Sequence, residues 1–429
     1  MKENGHQPGN GVKHAHQDPV RVGVIGCGYW GPQLIRNFSE MPEAQLAAVA
    51  DTSPDRLQYV RQRYPGVPVY ADYRELLASD IEAVVVATPI ETHFSITREA
   101  LRAGKHALVE KPLALSVGEA ASLIEVARVM DRTLMSGHTF LYNPAVVELR
   151  RLVRSGELGR IFYVDAARLS LGLFQRHVNV IWDLAPHDVS ILLYVLGTTP
   201  VAVSARGSSC VRSTVHDVAY VEIQFDNGLS AQLHVSWLDP AKVRRITVVG
   251  DRKMAVYNDV STTEKIRIYD KGVEPPPTDS FGEFQLSYRN GQITIPYVAW
   301  QEPLRTECEH FVESIRTGAT PLSDGYQGLA VVAVLEAANQ SLMNGGLRVP
   351  VRIPTIVGVA SRQPVQQAEN HPVAPTGNGH AVQSNGNGHA IPSNGNGHPV
   401  VLANSRDVPV HPVSSVTAPD DPAVAFPEL

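Results

Sequence analysis

The segment Val22-Gly-Val-Ile-Gly26-Cys-Gly28-Tyr-Trp-Gly31 places a G-x-G-x-x-G spacing directly after an apolar run and directly before a helical stretch. Glycines there let backbone amides approach a phosphate, and the helix N-terminus turns its partial positive charge toward the same point. The spacing alone is weak evidence, because glycines also populate ordinary turns. Its surroundings constrain the chain far more. Apolar strands at 21–25, 45–50, 83–87, 106–109 and 133–135 alternate with helical stretches from about 30 and at 54–63, 93–103 and 116–130. That rhythm requires a parallel sheet with helices on both faces. Gly26, Cys27, Gly28, Tyr29, Trp30 and Gly31 are therefore candidate residues for holding a dinucleotide, in a doubly wound domain spanning 19–140.

Asp51 ends the second strand, at the distance where an acid bonds the adenosine ribose hydroxyls and repels a 2′-phosphate. Its competing role is to cap the next helix. Ser53-Pro54 already offers a cap residue followed by proline at the first helical position, which leaves Asp51 freer for a ribose. No arginine follows Asp51 immediately, so NAD is expected rather than NADP.

Beyond about residue 140 the rhythm changes to strands with period-2 patterning at 160–170, 216–226, 229–237 and 243–250. Asp226-Asn-Gly228 reads as a hairpin turn between two of them. Strands gathered in this way indicate an antiparallel sheet in a second domain, 141–355, with one face on helices. The other face needs a cover, and a second copy of the chain, as a homodimer or homotetramer, is the expected one.

The formal net charge of -6 over 429 residues, with no basic run, excludes a typical nucleic-acid binder. Cys27, Cys210 and Cys308 are too few and too scattered for a disulfide framework or a zinc site, which fits a reducing cytoplasm. Neither a signal peptide nor an apolar run of about 18 residues is evident. Residues 1–18 and 356–429 read as disordered tails; the second repeats Gly-Asn-Gly-His up to His380, His389 and His398. Spaced single histidines pre-organise no metal shell, so a solvated linker is the simpler account.

Two further places carry chemistry. Glu110-Lys111-Pro112 brings a lysine out at the carboxyl edge of the parallel sheet, where open α/β folds bind ligands. Asp183 and His187 stand four apart, on one face if the segment is helical. Pro186 between them fits only a first turn, so the plainer alternatives are an N-cap for Asp183 and a polar helix-start residue for His187.

Taken together these motifs resemble the glucose-fructose oxidoreductase, inositol dehydrogenase and rhizopine-catabolism (Gfo/Idh/MocA) family over roughly residues 20–350. The glycine loop, Ala87-Thr88-Pro89 with His93, Glu110-Lys111-Pro112, Gly137-His138 with Asn143-Pro144, and Asp183 with His187 carry the likeness. Ile90 departs from it, since the family often has asparagine after Thr-Pro. The resemblance implies a Rossmann domain followed by an open-faced antiparallel sheet, and oxidation of a sugar or cyclitol alcohol with NAD. It implies that Thr88, Pro89, His93, Glu110 and Lys111 serve the cofactor, and that Lys111, His138, Asn143, Asp183 and His187 serve the substrate. His187 is then the expected general base, Lys111 the donor to the reacting oxygen and Asp183 a positioning acid; Lys111 as base is the alternative. Gly137–Pro144 and 179–187 look most like members that oxidise UDP-linked amino sugars or their uronates at C3, with free-sugar or inositol oxidation second. A cofactor-binding regulator is the alternative outside enzymes. Cys27 reads as a small residue filling a tight loop rather than a redox sensor.

Overall fold

In the computed structural model, residues 18–175, 177–274 and 287–356 are described. Of the expected tails, 1–18 and 356–429, all but Asp18 and Ile356 lie outside them, the Gly-Asn-Gly-His repeats included.

The first half runs β1 (Val20–Ile25), α1 (Gly31–Glu40), β2 (Ala44–Ala50), α2 (Pro54–Arg63), β3 (Val69–Tyr70), α3 (Tyr73–Ala78), β4 (Ala83–Val86), α4 (His93–Arg102), β5 (His106–Glu110), α5 (Val117–Val129) and β6 (Leu134–Gly137). These strands form a parallel sheet in the order β3-β2-β1-β4-β5-β6. The order reverses between β1 and β4, and such a switch point opens a ligand crevice at the strands' carboxyl ends. The alternation in the sequence anticipated this sheet; β3 and α3 escaped it because each is too short to show a period. Val84, Val85 and Val86 are fully buried, as strands covered on both faces must be.

The second half contains α6 (Pro144–Arg154), β7 (Ile161–Leu169), α7 (Val180–Leu196), β8 (Pro200–Ser208), β9 (Val218–Phe225), β10 (Ser230–Ser236), β11 (Val243–Gly250), β12 (Met254–Asn258), β13 (Ile266–Glu274), β14 (Ser287–Thr294), α8 (Pro303–Thr317), α9 (Gly325–Met343) and β15 (Val349–Pro350). Its sheet runs β14-β13-β12-β11-β7-β10-β9-β8-β15. Pairing is antiparallel except between β7 and β10, which lie parallel because the chain returns to β7 only after α7 and the β8-β9 hairpin. The expected turn at Asp226–Gly228 joins β9 to β10, with Gly228 at φ +82°. On β7, Val164, Ala166 and Arg168 are buried, while Tyr163 on the opposite face is 47% exposed, the alternation of a sheet covered on one side.

α8 and α9 return to the first sheet. Cys308, Phe311 and Val312 of α8 join Leu34, Ile35 and Phe38 of α1 in one core cluster. Just before α9, the Ser323 carbonyl accepts from the Ser136 amide, and Asp324 bridges to Met135 on β6.

Candidate active site

The glycine turn sits at the switch point. Gly26 has φ +100°, and a Cβ there would stand 2.5 Å from the Ala87 carbonyl oxygen at the end of β4. A Cβ on Gly31 would lie 2.2 Å from the Gly26 carbonyl oxygen. Both glycines are therefore demanded by packing. Gly28 differs, since a Cβ there meets nothing within 4 Å and its backbone borders open space. Trp30 at the N-cap of α1 makes no side-chain cap bond, so that helix end keeps its partial positive charge toward the opening. An anionic pyrophosphate fits this cradle. Tyr29 is 84% exposed beside Trp30, whereas Cys27 is buried and its thiol is pushed up to about 12, first by burial and then by Asp51. A thiol so held is protonated and inert, in keeping with a loop-filling role.

Asp51 is less free than the sequence suggested. One carboxylate oxygen accepts the Cys27 amide at 2.6 Å and the other the Ser53 amide at 2.8 Å, while the Ser53 side chain makes no cap bond. Arg56, one turn into α2, approaches Asp51 to 3.6 Å and supplies the cation that its immediate neighbours lack. Each oxygen retains a second lone pair, which leaves Asp51 able to accept a ribose hydroxyl.

At the end of β4, Thr88 accepts from the Thr92 hydroxyl at 2.7 Å, and exposed Pro89 leads into a short helical turn at Ile90–Thr92. Ile90 packs against the apolar core. His93 is enclosed, with one ring nitrogen 2.9 Å from the Pro112 carbonyl oxygen and the other 2.9 Å from that of Thr88. It ties the β4 end to the loop after β5.

Lys111 follows Glu110 directly, and its peptide bond to Pro112 is cis. Its ammonium donates to the Asp183 carbonyl at 2.9 Å and lies 3.7 Å from Oδ1 of the same residue. Pro186 lies in the second turn of α7, not the first: Asn179 is the N-cap and accepts from the Ile181 and Trp182 amides. A proline inside a helix removes an N–H and presses on the preceding turn. Lys111 takes a carbonyl of that turn. Asp183 and His187 share a helical face, and Asp183 Oδ2 accepts from the indole of Trp237 at 2.8 Å. His187 meets Phe140 edge-on at 5.1 Å, and its Nδ1 is buried without a partner among the described residues. Burial first, then Lys111, Arg168, Arg244 and His138, hold its pKa well below the usual 6.5. His138, 1% exposed, falls to about 3 through burial and then Lys111. Asn143 caps α6 through the Ala145 amide and donates to the Tyr257 hydroxyl at 3.3 Å.

The structure thus brings Lys111, Asp183 and His187 together, with His138 near enough to act on His187. It sets Asn143 in a helix cap and Asp51 against the glycine turn. Sequence reasoning missed Trp237, Phe140 and the buried pair Arg168–Asp188, bonded at 2.8 and 2.9 Å beneath the Phe140 ring. A lone arginine on the buried face of β7 was the available signal, because an unpaired charge does not remain in a core.

A parallel sheet of this order, with an open glycine turn at its switch point and a lysine reaching an acid of α7 one turn before a histidine, defines a dinucleotide-dependent dehydrogenase. Residues 20–138 match the oxidoreductase family with an NAD-binding Rossmann fold, and residues 146–256 match the Gfo/Idh/MocA C-terminal domain. The chain belongs to the Gfo/Idh/MocA oxidoreductases, with NAD as cofactor. It is 28% identical over 320 residues to the UDP-N-acetylglucosamine 3-dehydrogenase of Acidithiobacillus ferrooxidans, covering 73% of this chain and 94% of that one. Inositol 2-dehydrogenase of Rhizobium meliloti is 26% identical over 342 residues, covering 75% and 97%. The solved structure of GenD2 from gentamicin A biosynthesis in complex with NAD superposes with a TM-score of 0.66 at 25% identity, covering 81% of this chain and 100% of that one. Among the described residues no helix is long and apolar enough to cross a membrane, and no group of histidine, cysteine or acidic residues is placed to hold a metal.

Proposed function

We propose that this dehydrogenase oxidises the C3 hydroxyl of a nucleotide-linked N-acetyl-hexosamine or its uronate. The observation that carries the chemistry is the cluster of Lys111, Asp183 and His187. When bound, the dinucleotide supplies the hydride acceptor. His187, kept neutral by burial and by the surrounding cations, accepts the hydroxyl proton. Lys111 donates to the substrate oxygen as negative charge develops on it. Asp183, anchored by Trp237, holds the lysine in place. This division keeps the base in its active form through the neutral range; with Lys111 as base, activity would instead rise toward alkaline pH.

The similarity to a UDP-N-acetylglucosamine 3-dehydrogenase supports the substrate, together with the stretches 137–144 and 179–187. The inositol dehydrogenases, at nearly equal identity, favour a free cyclitol as the second reading. Incubation with NAD and a panel of UDP-sugars, free sugars and inositols separates the two: NADH should form with a UDP-amino sugar. Formation with inositols alone would remove the first reading. Exposed Tyr163 and Tyr220, the latter stacked on His234 at 4.2 Å, support assembly of copies through the open sheet face, and light scattering reporting a monomer would refute it. The unpaired thiols of Cys27, Cys210 and Cys308 suit a cytoplasmic enzyme.

A further inference from the structure

The inward face of the second sheet carries a cation that the chemistry above does not use. Arg244 of β11 stands directly opposite Arg168 of β7, and Arg168 in turn opposite Val235 of β10. Cross-strand partners point to the same face, so Arg244 shares the face on which Arg168 lies beneath Phe140. Phe140 meets His187, and Trp237, the next inward residue on β10, donates to Asp183. A second path leads to the same place. Asp259 extends the row, its amide donating to the Arg244 carbonyl at 2.9 Å. Its carboxylate accepts from Arg244 and from the Tyr257 hydroxyl, and that hydroxyl accepts from Asn143, at the end of the turn that carries Phe140. Arg244 is thus tied from two sides to the residues that wall the Lys111, Asp183 and His187 cluster. Behind burial, Lys111 and Arg168, it is the next influence holding the His187 pKa down.

The two arginines are satisfied to different degrees. Arg168, 5% exposed, closes a bidentate pair with Asp188 at 2.8 and 2.9 Å. Arg244, 37% exposed, makes one side-chain hydrogen bond among the described residues, 3.3 Å to Asp259. That carboxylate is shared: it also accepts the Tyr257 hydroxyl at 3.0 Å and lies 3.8 Å from the Lys265 ammonium. One acid between two cations leaves a net positive charge, and like charges opposite one another on neighbouring strands cost stability. Arg244 is therefore held in place with most of its planar N–H fork unengaged. Such a fork matches two oxygens of a carboxylate or a phosphate.

We propose that Arg244 sets the substrate class: it binds an anionic group of the substrate, a phosphate or a carboxylate, while the reacting carbon lies at His187. The assignment rests on the oxidation at C3 proposed above. In a nucleotide-linked hexosamine the phosphate is attached at C1, and in a uronate the carboxylate stands on C5; each is two ring positions from C3. Either anion then lies one ring's breadth from the reacting carbon, comparable with the spacing of neighbouring strands, about 5 Å. A neutral cyclitol would leave the fork without a partner, so Arg244 favours the charged substrate over it.

Binding to the NADH-saturated enzyme tests this without turnover. In calorimetric titrations with UDP-N-acetylglucosamine, glucuronate and myo-inositol, R244Q should bind at least one of the charged ligands about ten- to a hundredfold more weakly. Inositol should stay within a factor of about two. A loss confined to the nucleotide sugar identifies the phosphate as the bound group, and a loss confined to glucuronate the carboxylate. Equal weakening of charged and neutral ligands, unchanged affinity for both anions in R244Q, or no binding of either anion by the unmodified enzyme would each overturn the assignment. If R244Q does not fold, R244K decides, because it keeps the charge beside Asp259 and lacks the fork: the charged ligand should weaken several-fold and inositol should not. Absence of NADH formation from UDP-sugars with NAD+ would count against the reaction at C3, not against the arginine.

Discussion

The edge of the first sheet and the α7 face achieve precision by different means. At the glycine turn it is backbone that does the positioning: Gly26 and Gly31 are fixed by contacts to carbonyl oxygens, and the partner of Cys27 is a residue 24 positions away on the next strand. At the α7 face, side chains position one another across long sequence separations. Lys111 reaches Asp183 over 72 residues, and Asp183 reaches Trp237 over 54. The first arrangement cannot be altered without moving the chain; the second can lose a single atom and keep its fold. Damage to the two halves should therefore look different.

The largest effect is expected at His187. His187→Ala should lower kcat by about a hundred- to ten-thousand-fold, the usual worth of a positioned general base. NAD affinity, measured by fluorescence titration, should stay within a factor of about two, because substitutions without shared partners act independently. Equal losses of kcat and NAD affinity would erase the division between the halves. Gly31→Ala should show the opposite pattern. Its methyl must displace the Gly26 carbonyl, so NAD binding should weaken and thermal unfolding should come earlier, by about 1–3 kcal/mol of overpacking strain. An unchanged melting temperature together with unchanged NAD affinity would mean that the turn is softer than its contacts indicate.

The same contrast explains what the sequence disclosed. Glycine spacing, strand-helix rhythm and the Asp226-Asn-Gly228 turn are local patterns, each set by the geometry of a few consecutive residues, and they led to the parallel sheet and the β9-β10 hairpin. Lys111 and His187 were legible because a strand end and a helical spacing place them. Trp237 was not, since nothing in a strand-ending tryptophan indicates that its N–H is directed at an acid 54 residues earlier. Pro186 was misplaced for a similar reason: local rules put proline in a first turn, and only the Asn179 cap, set by the tertiary path, reveals where α7 begins. The pattern Ser53-Pro54 makes Asp51 read as freer for a ribose, but the Ser53 side chain forms no cap bond. Wherever partners are distant in sequence, one-dimensional patterns fall short.

Trp237→Phe probes the α7 face more gently. The ring remains to pack against Phe174, and only the N–H donated to Asp183 is lost. A hydrogen bond to a charged group contributes about 1.5–3 kcal/mol, part of which the Lys111 contact retains, so kcat should fall roughly tenfold with NAD binding unaffected. A change in KM alone would shift Asp183 from holding Lys111 to contacting substrate.

The smallest effect separates buried histidine from half-buried carboxyl through pH. His138 drops from 6.5 to about 3 on folding, so the unfolded chain binds its proton first. Its contribution is complete above pH 6.5 and is lost, at about 1.4 kcal/mol per pH unit, as pH falls below that value. His106, lowered to about 4 but nearer solvent, adds a weaker slope of the same sign. Glu110 runs the other way: raised from 4.5 to about 7, it favours folding below pH 4.5 and loses that contribution as pH rises through 7. Thermal unfolding followed by circular dichroism should therefore show stability climbing from pH 4.5 to 6.5, less steeply than the histidines alone would give because Glu110 opposes them across that window, and E110Q should steepen the climb and remove the slight decline between 6.5 and 7. A climb equally steep in E110Q would remove Glu110 from the pH response and leave it to the buried histidines.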